Sequence, residues 1–299
     1  MSLPLIPPGF EGRVRREEPM SRHTSWHVGG PADLWFEPRD LKDLQQFLHA
    51  LDPAIPVTFV GLGSNLLVRD AGIRGAVVCV HRALDELERL EATRVRVGAG
   101  VPCAKLARQA ARWGLVPAAF FAGIPGTVGG ALAMNAGAWG GETWSRVLEV
   151  ETIDRSGALH RRNASEYRAG YRSVQAPASG EWFVGATLGF ERAEEHGVES
   201  IRDLLARRVA SQPIGAWSCG SVFTNPPGDH AARLIEAAGL KGFRIGGAEV
   251  SVKHANFIIN RGTATARDLE ALIAHVRRVV REVHGVTLET EVRTLGEAA

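Results

Sequence analysis

The glycine-rich run from residue 123 to residue 141 constrains this chain more than any other feature. Seven of its nineteen residues are glycine and none carries a charge. Glycine permits backbone with positive φ and lets another group approach the main chain closely, and exposed backbone amides can hold an anion. A flexible linker is the alternative, but linkers favour serine and charged residues, whereas Ile124, Val128 and Trp139 are interleaved here. The run therefore predicts a backbone that encloses a ligand.

Length, charge and cysteine usage limit the classes of protein that this chain can belong to. A chain of 299 residues can build two or three domains, and a net charge of +2 gives no support for nucleic-acid binding. Its first residues lack the apolar core of a signal peptide, and no uninterrupted apolar run reaches membrane-spanning length. Cys79, Cys103 and Cys219 are far apart and fit neither a metal site nor a disulfide framework. We therefore expect a cytoplasmic protein with no metal, no membrane partner and no nucleic-acid partner; its oligomeric state is open, a monomer included.

Hydrophobic spacing predicts helices and strands that are mixed without strict alternation, which is typical of the α+β class. Residues 1–20 are expected to form an extended lead-in. The predicted helices are 40–51 with Asp40 as its cap, 102–113, 199–209, 229–238 and 265–284. The predicted strands are 57–60, 66–68, 76–80, 94–97, 182–190 and 257–260, with a hairpin of 147–153 and 159–161. We place the main domain boundary near residue 197 and a weaker one near residue 85.

The turn Gly61-Leu-Gly-Ser-Asn65 begins like a dinucleotide fingerprint. Leu66 stands where the third glycine belongs, and a strand follows where a helix is needed, so a Rossmann site is disfavoured. Neither glycine cluster is followed by a Walker lysine, which disfavours a P-loop. Two interpretations are left: a turn whose backbone amides hold a diphosphate, or an ordinary hairpin turn.

Three polar side chains further along the chain are candidates for chemistry. Ser221 lacks the nucleophile-elbow pattern because Phe223 occupies its last position; a hydroxyl can serve as a proton donor or simply cap a turn. Arg172 lies among several arginines and could be solvated surface. Glu291 shares one face of a strand-like alternation over 288–296, so an exposed charged strand is its alternative role.

Taken in chain order, these clusters resemble the UDP-N-acetylenolpyruvoylglucosamine reductase family, flavoenzymes of bacterial peptidoglycan synthesis. The resemblance extends from about residue 24 to residue 296. The segments that carry it are Gly61–Asn65, Gly123–Gly130, Met134–Gly137, Tyr171-Arg172, Ser218–Phe223, Arg244–Gly247, Lys253–Ala255 and Glu291–Arg293.

The resemblance implies a fold, a reaction and its cofactors. The fold is an FAD-binding domain of the vanillyl-alcohol-oxidase type, with subdomains 1–84 and 85–196, followed by an α+β substrate-binding domain at 197–299. The reaction is the reduction of UDP-N-acetylglucosamine enolpyruvate to UDP-N-acetylmuramate by tightly bound FAD, with NADPH as the reductant. Hydride passes from flavin N5 to C3 of the enolpyruvyl group, and a proton is added at C2.

The resemblance also implies roles for individual residues. Arg172 would stabilise the negative charge that develops on the substrate, Glu291 would polarise or orient its carboxylate, and Ser221 would donate the proton. The residues implied to bind the cofactor are Gly61, Gly63, Ser64, Asn65, Leu66, Gly123, Ile124, Pro125, Gly126, Thr127, Gly129, Gly130, Ala133, Asn135 and Gly137. Those implied to contact the substrate or its diphosphate are Asn225, Lys253 and His254.

The chain departs from the family pattern at two places. The family's Tyr-Arg-x-Ser is Tyr171-Arg-Ser173 here, one residue shorter. The compact stretch between Phe190 and Arg208 leaves no room for the tyrosine-bearing loop of one subtype, which indicates the subtype without it.

The sequence leaves two other function classes open. A flavin oxidase of the same fold would use oxygen, but the joint presence of Arg172, Ser221 and Glu291 argues against it. A non-catalytic flavin- or nucleotide-binding module is the second alternative.

Overall fold

The computed structural model describes residue 9, residues 11–193 and residues 201–298. Contacts divide the chain into two compact units whose segments alternate along the sequence. The first unit comprises Met1–Arg16, Leu34–Leu62 and Gly75–Ala206, and the second comprises Glu17–Asp33, Gly63–Arg74 and Arg207–Ala299. The predicted boundaries at residues 84 and 196 divide the chain consecutively and stay a prediction of subdomain organisation. The interval expected to lack the tyrosine-bearing loop, and the predicted helix start at Glu199, fall partly on residues 194–200, outside the described residues.

Five of the six helices of the described residues begin and end close to where the spacing of apolar residues predicts. Asp40 caps the first of them by accepting a hydrogen bond from Asp43 N at 2.9 Å. Thr265 and Asp268 form a capping box at the last one, which ends at Gly285 with φ 70°. The helices are α1 Leu41–Ala50, α2 Cys103–Arg112, α3 Val128–Met134, α4 Ile201–Ser211, α5 Ala231–Ala237 and α6 Ala266–His284.

The strands form several sheets, most of them antiparallel. They are β1 Arg13–Pro19, β2 Pro31–Glu37, β3 Val57–Val60, β4 Leu66–Val68, β5 Ile73–Cys79, β6 Leu87–Arg89, β7 Arg94–Gly98, β8 Leu115–Val116, β9 Gly137–Ala138, β10 Gly141–Glu142, β11 Val147–Asp154, β12 Leu159–Asn163, β13 Arg168–Gly170, β14 Ser173–Gln175, β15 Glu181–Gly189, β16 Glu191–Arg192, β17 Arg244–Ile245, β18 Ala248–Val250, β19 Ile258–Asn260 and β20 Arg293–Leu295.

The first unit is built on two sheets with helices packed against them. A five-stranded sheet in the order β12-β11-β15-β7-β6 contains the predicted hairpin, and its core side chains pack with those of α2 and α3. A second sheet, most of which belongs to this unit, has the order β1-β2-β5-β3 and packs against the apolar face of α1, where Phe47 stacks on Phe36 with ring centroids 3.9 Å apart. The apolar stripe of α1 therefore faces this sheet, as its spacing predicts.

The second unit surrounds α6. The buried face of α6 packs in one core with α5, with the sheet β17-β18-β19 and with Val222 and Phe223. Trp26 reaches the same core from far along the chain and donates from Nε1 to Ile258 O at 2.8 Å. A parallel pair of β4 and β20 completes the unit.

The structure differs from the sequence predictions at three elements. Residues 13–19 form β1 within a sheet and are not merely an extended lead-in. The glycine-rich run contains α3, which spacing had not indicated. Of the strand-like stretch 288–296, only β20 is a regular strand, because its partner β4 spans just three residues. Among the described residues, no helix is both long enough and apolar enough to cross a bilayer.

Candidate active site

The two glycine-bearing loops of the first unit meet at Gly61 and Thr127. A Cβ atom on Gly61 would collide with the side-chain oxygen of Thr127, the buried residue that precedes α3. Glycine is therefore required at position 61 so that the two loops can approach each other. Two loops that the sequence predicts separately as cofactor contacts thus form one continuous feature.

The loop before α3 is fixed by the segment that follows β7. Val128 N donates to Val101 O at 2.9 Å, and Gly129 N donates to Ala99 O at 2.8 Å. These two amides therefore donate to carbonyl oxygens of the protein itself and are not open to a bound anion. A Cβ on Gly129 would lie 2.9 Å from the Cβ of Ala99, so glycine at this position serves packing.

Gly130 has a different environment from its neighbour Gly129. It is exposed, and among the described residues, the backbone of α3 itself aside, a Cβ placed on it would come within 4 Å of Thr127 Oγ1 alone, at 3.9 Å. No contact with the described residues requires glycine at position 130, whereas the close approach of a ligand to α3 would. This open position beside Thr127 fits the cradle that an FAD-binding loop must provide.

Two other glycines of the run are explained by packing. A Cβ on Gly123 would lie 2.6 Å from the Cβ of Ala138, and one on Gly137 would meet the carbonyl oxygen of Gly141. The run therefore combines glycines that fold the backbone on itself with one that leaves a surface open.

Asn135 ends α3 in the left-handed conformation, with φ 47°, and is only 2 % exposed. Its Nδ2 donates to Glu142 Oε2 and to Gly170 O, both at 2.9 Å, and its Oδ1 accepts from Trp144 N at 3.0 Å. The side-chain amide is fully engaged within the protein. Any contact of Asn135 with the cofactor would therefore involve its backbone.

Arg172 lies in the two-residue turn of the β13–β14 hairpin, where Gly170 pairs with Ser173. Its φ of 52° is unusual for a residue other than glycine, and such strain is characteristic of functional positions. Its guanidinium donates to Gly137 O at 3.0 Å and to Asn135 O at 3.4 Å. The cation is thus held at the end of the glycine-rich run.

Ser221 and Glu291 are brought together in the second unit by their backbones. Glu291 N donates to Val222 O at 2.8 Å, and Phe223 forms an antiparallel bridge with Thr290. Ser221 is half-buried, and within the described chain its hydroxyl has no hydrogen-bond partner. The hydroxyl can therefore donate to a bound molecule.

Asn65 connects the turn at 61–65 to Glu291. Its Nδ2 donates to Glu291 O at 3.0 Å, and its own carbonyl accepts from Arg293 N at 3.1 Å. Leu66 then enters β4 and pairs with Arg293 of β20. Residues 63–66 of the predicted cofactor loop therefore lie beside Glu291 in the second unit, whereas Gly61 belongs to the first.

The three predicted substrate contacts have separate partners. Asn225 Oδ1 accepts from Ala231 N at 3.1 Å at the start of α5, and Lys253 Nζ donates to Val209 O at 2.5 Å. His254 Nδ1 accepts from Asn256 N at 3.3 Å, and burial lowers the pKa of His254. All three lie in the second unit with Ser221 and Glu291.

Asn256 is a buried residue of this site that sequence reasoning missed. It bonds the main chain of Phe223 through both ends of its amide. Only its place two residues after His254 could have drawn attention to it. Cys219, by contrast, is a packing residue: its thiol donates to Leu66 O at 3.4 Å, and burial raises the pKa of Cys219 to about 12.

Comparisons with known proteins find one family for the first half of the chain and one for its last third. The FAD binding domain family matches residues 32–163, and the family described as UDP-N-acetylenolpyruvoylglucosamine reductase, C-terminal domain, matches residues 212–295. The predicted α+β fold, with an FAD-binding domain followed by a second domain, is thereby confirmed.

Relatives of the same description match nearly the full length. UDP-N-acetylenolpyruvoylglucosamine reductase of Alkalilimnicola ehrlichii is 57 % identical over 288 residues, covering 96 % of both chains. That of Methylococcus capsulatus is also 57 % identical, over 96 % of this chain and 94 % of its own. The crystal structure of the Thermus caldophilus reductase is 32 % identical and superimposes with a TM-score of 0.79, over 96 % of this chain and all of that one. The chain belongs to the UDP-N-acetylenolpyruvoylglucosamine reductase family.

Proposed function

We propose that Arg172, Ser221 and Glu291 act on the substrate in the NADPH-dependent, FAD-mediated reduction of UDP-N-acetylglucosamine enolpyruvate to UDP-N-acetylmuramate. Family membership over 96 % of the chain supports this reaction, a step of peptidoglycan synthesis, and makes the protein a flavin-dependent oxidoreductase. The single observation that carries the residue assignment is the hydrogen bond from Glu291 N to Val222 O. This bond joins the residue after Ser221 to the backbone of Glu291, which supports a common role for the two side chains.

The loops around Gly61, Thr127 and Gly130 are the proposed FAD site. The match to the FAD binding domain family covers both loops, and the open position at Gly130 supports contact between a ligand and the backbone there. When bound, FAD supplies the hydride that it receives from NADPH. The remaining predicted cofactor residues stay part of this proposal.

Arg172 is proposed to stabilise the charge that develops when hydride adds to C3. Addition to an enol ether next to a carboxylate places negative charge on an enolate, and a fixed cation lowers the energy of that state. The two carbonyl oxygens that hold the guanidinium support such a fixed position. Glu291 is proposed to orient the substrate carboxylate.

Ser221 is proposed to deliver the proton to C2. A hydroxyl whose hydrogen is not committed to a protein acceptor can donate it to a carbanion-like carbon, and positioned proton donors typically contribute about 10²–10⁴-fold to rate. Hydride at C3 and a proton at C2 together complete the reduction of the double bond.

Asn225, Lys253 and His254 are proposed to contact the substrate or its diphosphate. Lys253 is exposed and carries a compact ammonium charge suited to a phosphate. The use of NADPH and a UDP-linked sugar supports a cytoplasmic enzyme, and the subtype without a tyrosine-bearing loop remains part of the proposal.

Purified protein tests the proposal directly. We expect a yellow protein with a flavin spectrum, whose oxidation of NADPH depends on the enolpyruvyl sugar nucleotide. A preparation that makes peroxide from an alcohol would instead identify a flavin oxidase. A colourless protein that takes up no FAD would overturn the flavin assignment.

A further inference from the structure

We propose that Asn256 is a positioning residue that holds Ser221 in place for proton donation. This inference deepens the proposed function and rests on it, because it takes Ser221 as the proton donor. Asn256 lies 35 positions after Ser221 in the chain, directly after the motif Lys253–Ala255, and is 4 % exposed.

Asn256 contacts the two residues after Ser221 through three hydrogen bonds. Its backbone carbonyl accepts from Val222 N at 2.9 Å. Its Oδ1 accepts from Phe223 N at 2.9 Å, and its Nδ2 donates to Phe223 O at 2.8 Å. The side-chain amide therefore takes the place of a neighbouring strand and satisfies both polar groups of a buried backbone unit.

The opposite edge of the same segment is held by the residues around Glu291. Val222 O accepts from Glu291 N at 2.8 Å, and Thr224 N donates to Glu289 O at 2.9 Å. The three residues 222–224 thus lie between Asn256 on one side and residues 289–291 on the other. Without the Asn256 side chain, Phe223 N and Phe223 O would both lose their partners, while the bond from Val222 N to Asn256 O would remain.

The position of Ser221 depends on this segment because little else restrains it. Its hydroxyl has no hydrogen-bond partner in the described part of the chain, and the preceding Gly220 has φ 75° with open space where a side chain would be. The restraint comes from Val222 and Phe223, which are buried and bonded to Asn256. A small displacement of a catalytic group can cost about 10²-fold in rate.

A double-mutant cycle of Asn256→Ala and Ser221→Ala tests this role in the holoenzyme. Stopped-flow absorbance follows oxidation of the reduced flavin by the enolpyruvyl sugar nucleotide. We expect Asn256→Ala alone to slow this step about 10–100-fold. In the Ser221→Ala background it should slow the step less than about threefold, because a displaced proton donor matters only while the donor is present.

Asn260→Ala is the matched control. Asn260 is buried in the same unit, donates from Nδ2 to Trp26 O at 2.7 Å and accepts at Oδ1 from Gly262 N at 2.8 Å. It lacks a bond to the Ser221 segment, so its removal should lower the melting temperature without a selective loss in the substrate step. If Asn256→Ala does not fold, Asn256→Asp keeps the size and the bond to Phe223 N and enters the same cycle.

The outcomes separate the two proposals. Multiplicative losses in the cycle, or an equal selective loss in Asn260→Ala, would overturn the role of Asn256 while leaving the proposed function intact. Absence of substrate-dependent NADPH oxidation by the wild-type protein would instead overturn the proposed function itself.

Discussion

Arg172 and Ser221 are both proposed to act on the substrate, yet the protein fixes them in opposite ways. The guanidinium of Arg172 is bonded directly to two carbonyl oxygens, on a hairpin turn whose φ of 52° is strained. The hydroxyl of Ser221 has no such acceptor among the described residues, and the backbone that follows it is bonded to Asn256 and Glu291. A long cation needs acceptors along its side chain, whereas a short hydroxyl takes its place from the main chain. Arg172 should therefore respond to changes in the side chain itself, and Ser221 to changes in its neighbours.

The largest expected effect tests the Ser221 half of this comparison. Ser221→Ala should slow oxidation of the reduced flavin by substrate about 10²–10⁴-fold, because a positioned proton donor is lost. Reduction of the flavin by NADPH should be nearly unchanged, since no proton donor to C2 is needed there. Stopped-flow absorbance separates the two steps, and equal slowing of both would contradict the assigned role.

The second prediction tests whether Arg172 acts as a precisely held cation. Arg172→Ala should slow the substrate step about 10²–10³-fold, the usual cost of losing a preorganised charge donor. Arg172→Lys keeps the charge but loses the planar fork that spans the carbonyls of Asn135 and Gly137, and should recover only part of the rate. Full activity in Arg172→Lys would show that charge alone suffices. Unchanged kinetics in Arg172→Ala would mean that another arginine has this role.

A third prediction compares two adjacent glycines of the cofactor loop. Gly129→Ala should destabilise the protein by about 1–3 kcal/mol, because the new methyl overlaps Ala99. Gly130→Ala meets open space and should keep the stability of the FAD-free protein, with up to about 1 kcal/mol gained from helix propensity. It should instead weaken FAD binding several-fold.

Melting temperatures of the FAD-free proteins and fluorescence titration with FAD distinguish the two glycine variants. If Gly130→Ala binds FAD as tightly as the wild type, the cofactor does not approach the backbone at that position.

The smallest expected effect concerns Cys219, two residues before Ser221. Burial raises the pKa of Cys219 to about 12, so below that pH the thiol stays protonated and unreactive. Treatment of the native enzyme with iodoacetamide at pH 8 should leave this thiol unmodified, as mass spectrometry can verify. Rapid modification with loss of the substrate step would reveal a mobile Ser221 segment, contrary to the comparison above.

Elements with strong local signals were predictable from the sequence. The apolar spacing of α6 gave its limits within one or two residues, and the predicted hairpin of 147–153 and 159–161 matches β11 and β12. These features depend on neighbours close in the chain.

Features that depend on distant partners could not be predicted in this way. Glycine costs about 1 kcal/mol in a helix, so α3 is specified by contacts such as the one from Gly129 N to Ala99 O. Asn256 acts on Phe223, 33 residues away, and no local pattern announces that pairing. For the candidate site, the sequence predicts which residues act together. The structure shows which hydrogen bonds fix Arg172 and the backbone beside Ser221.

The bond between Trp26 and Ile258 has a consequence for how the protein is made. The two residues are 232 positions apart, and Trp26 is fully buried in the core of the second unit. At the usual speed of synthesis, about 5–20 residues per second, this tryptophan leaves the ribosome roughly 10–50 s before its partner exists. During that interval, a nascent chain must keep a large apolar side chain from aggregating, and the second unit can complete its core only when synthesis is almost finished.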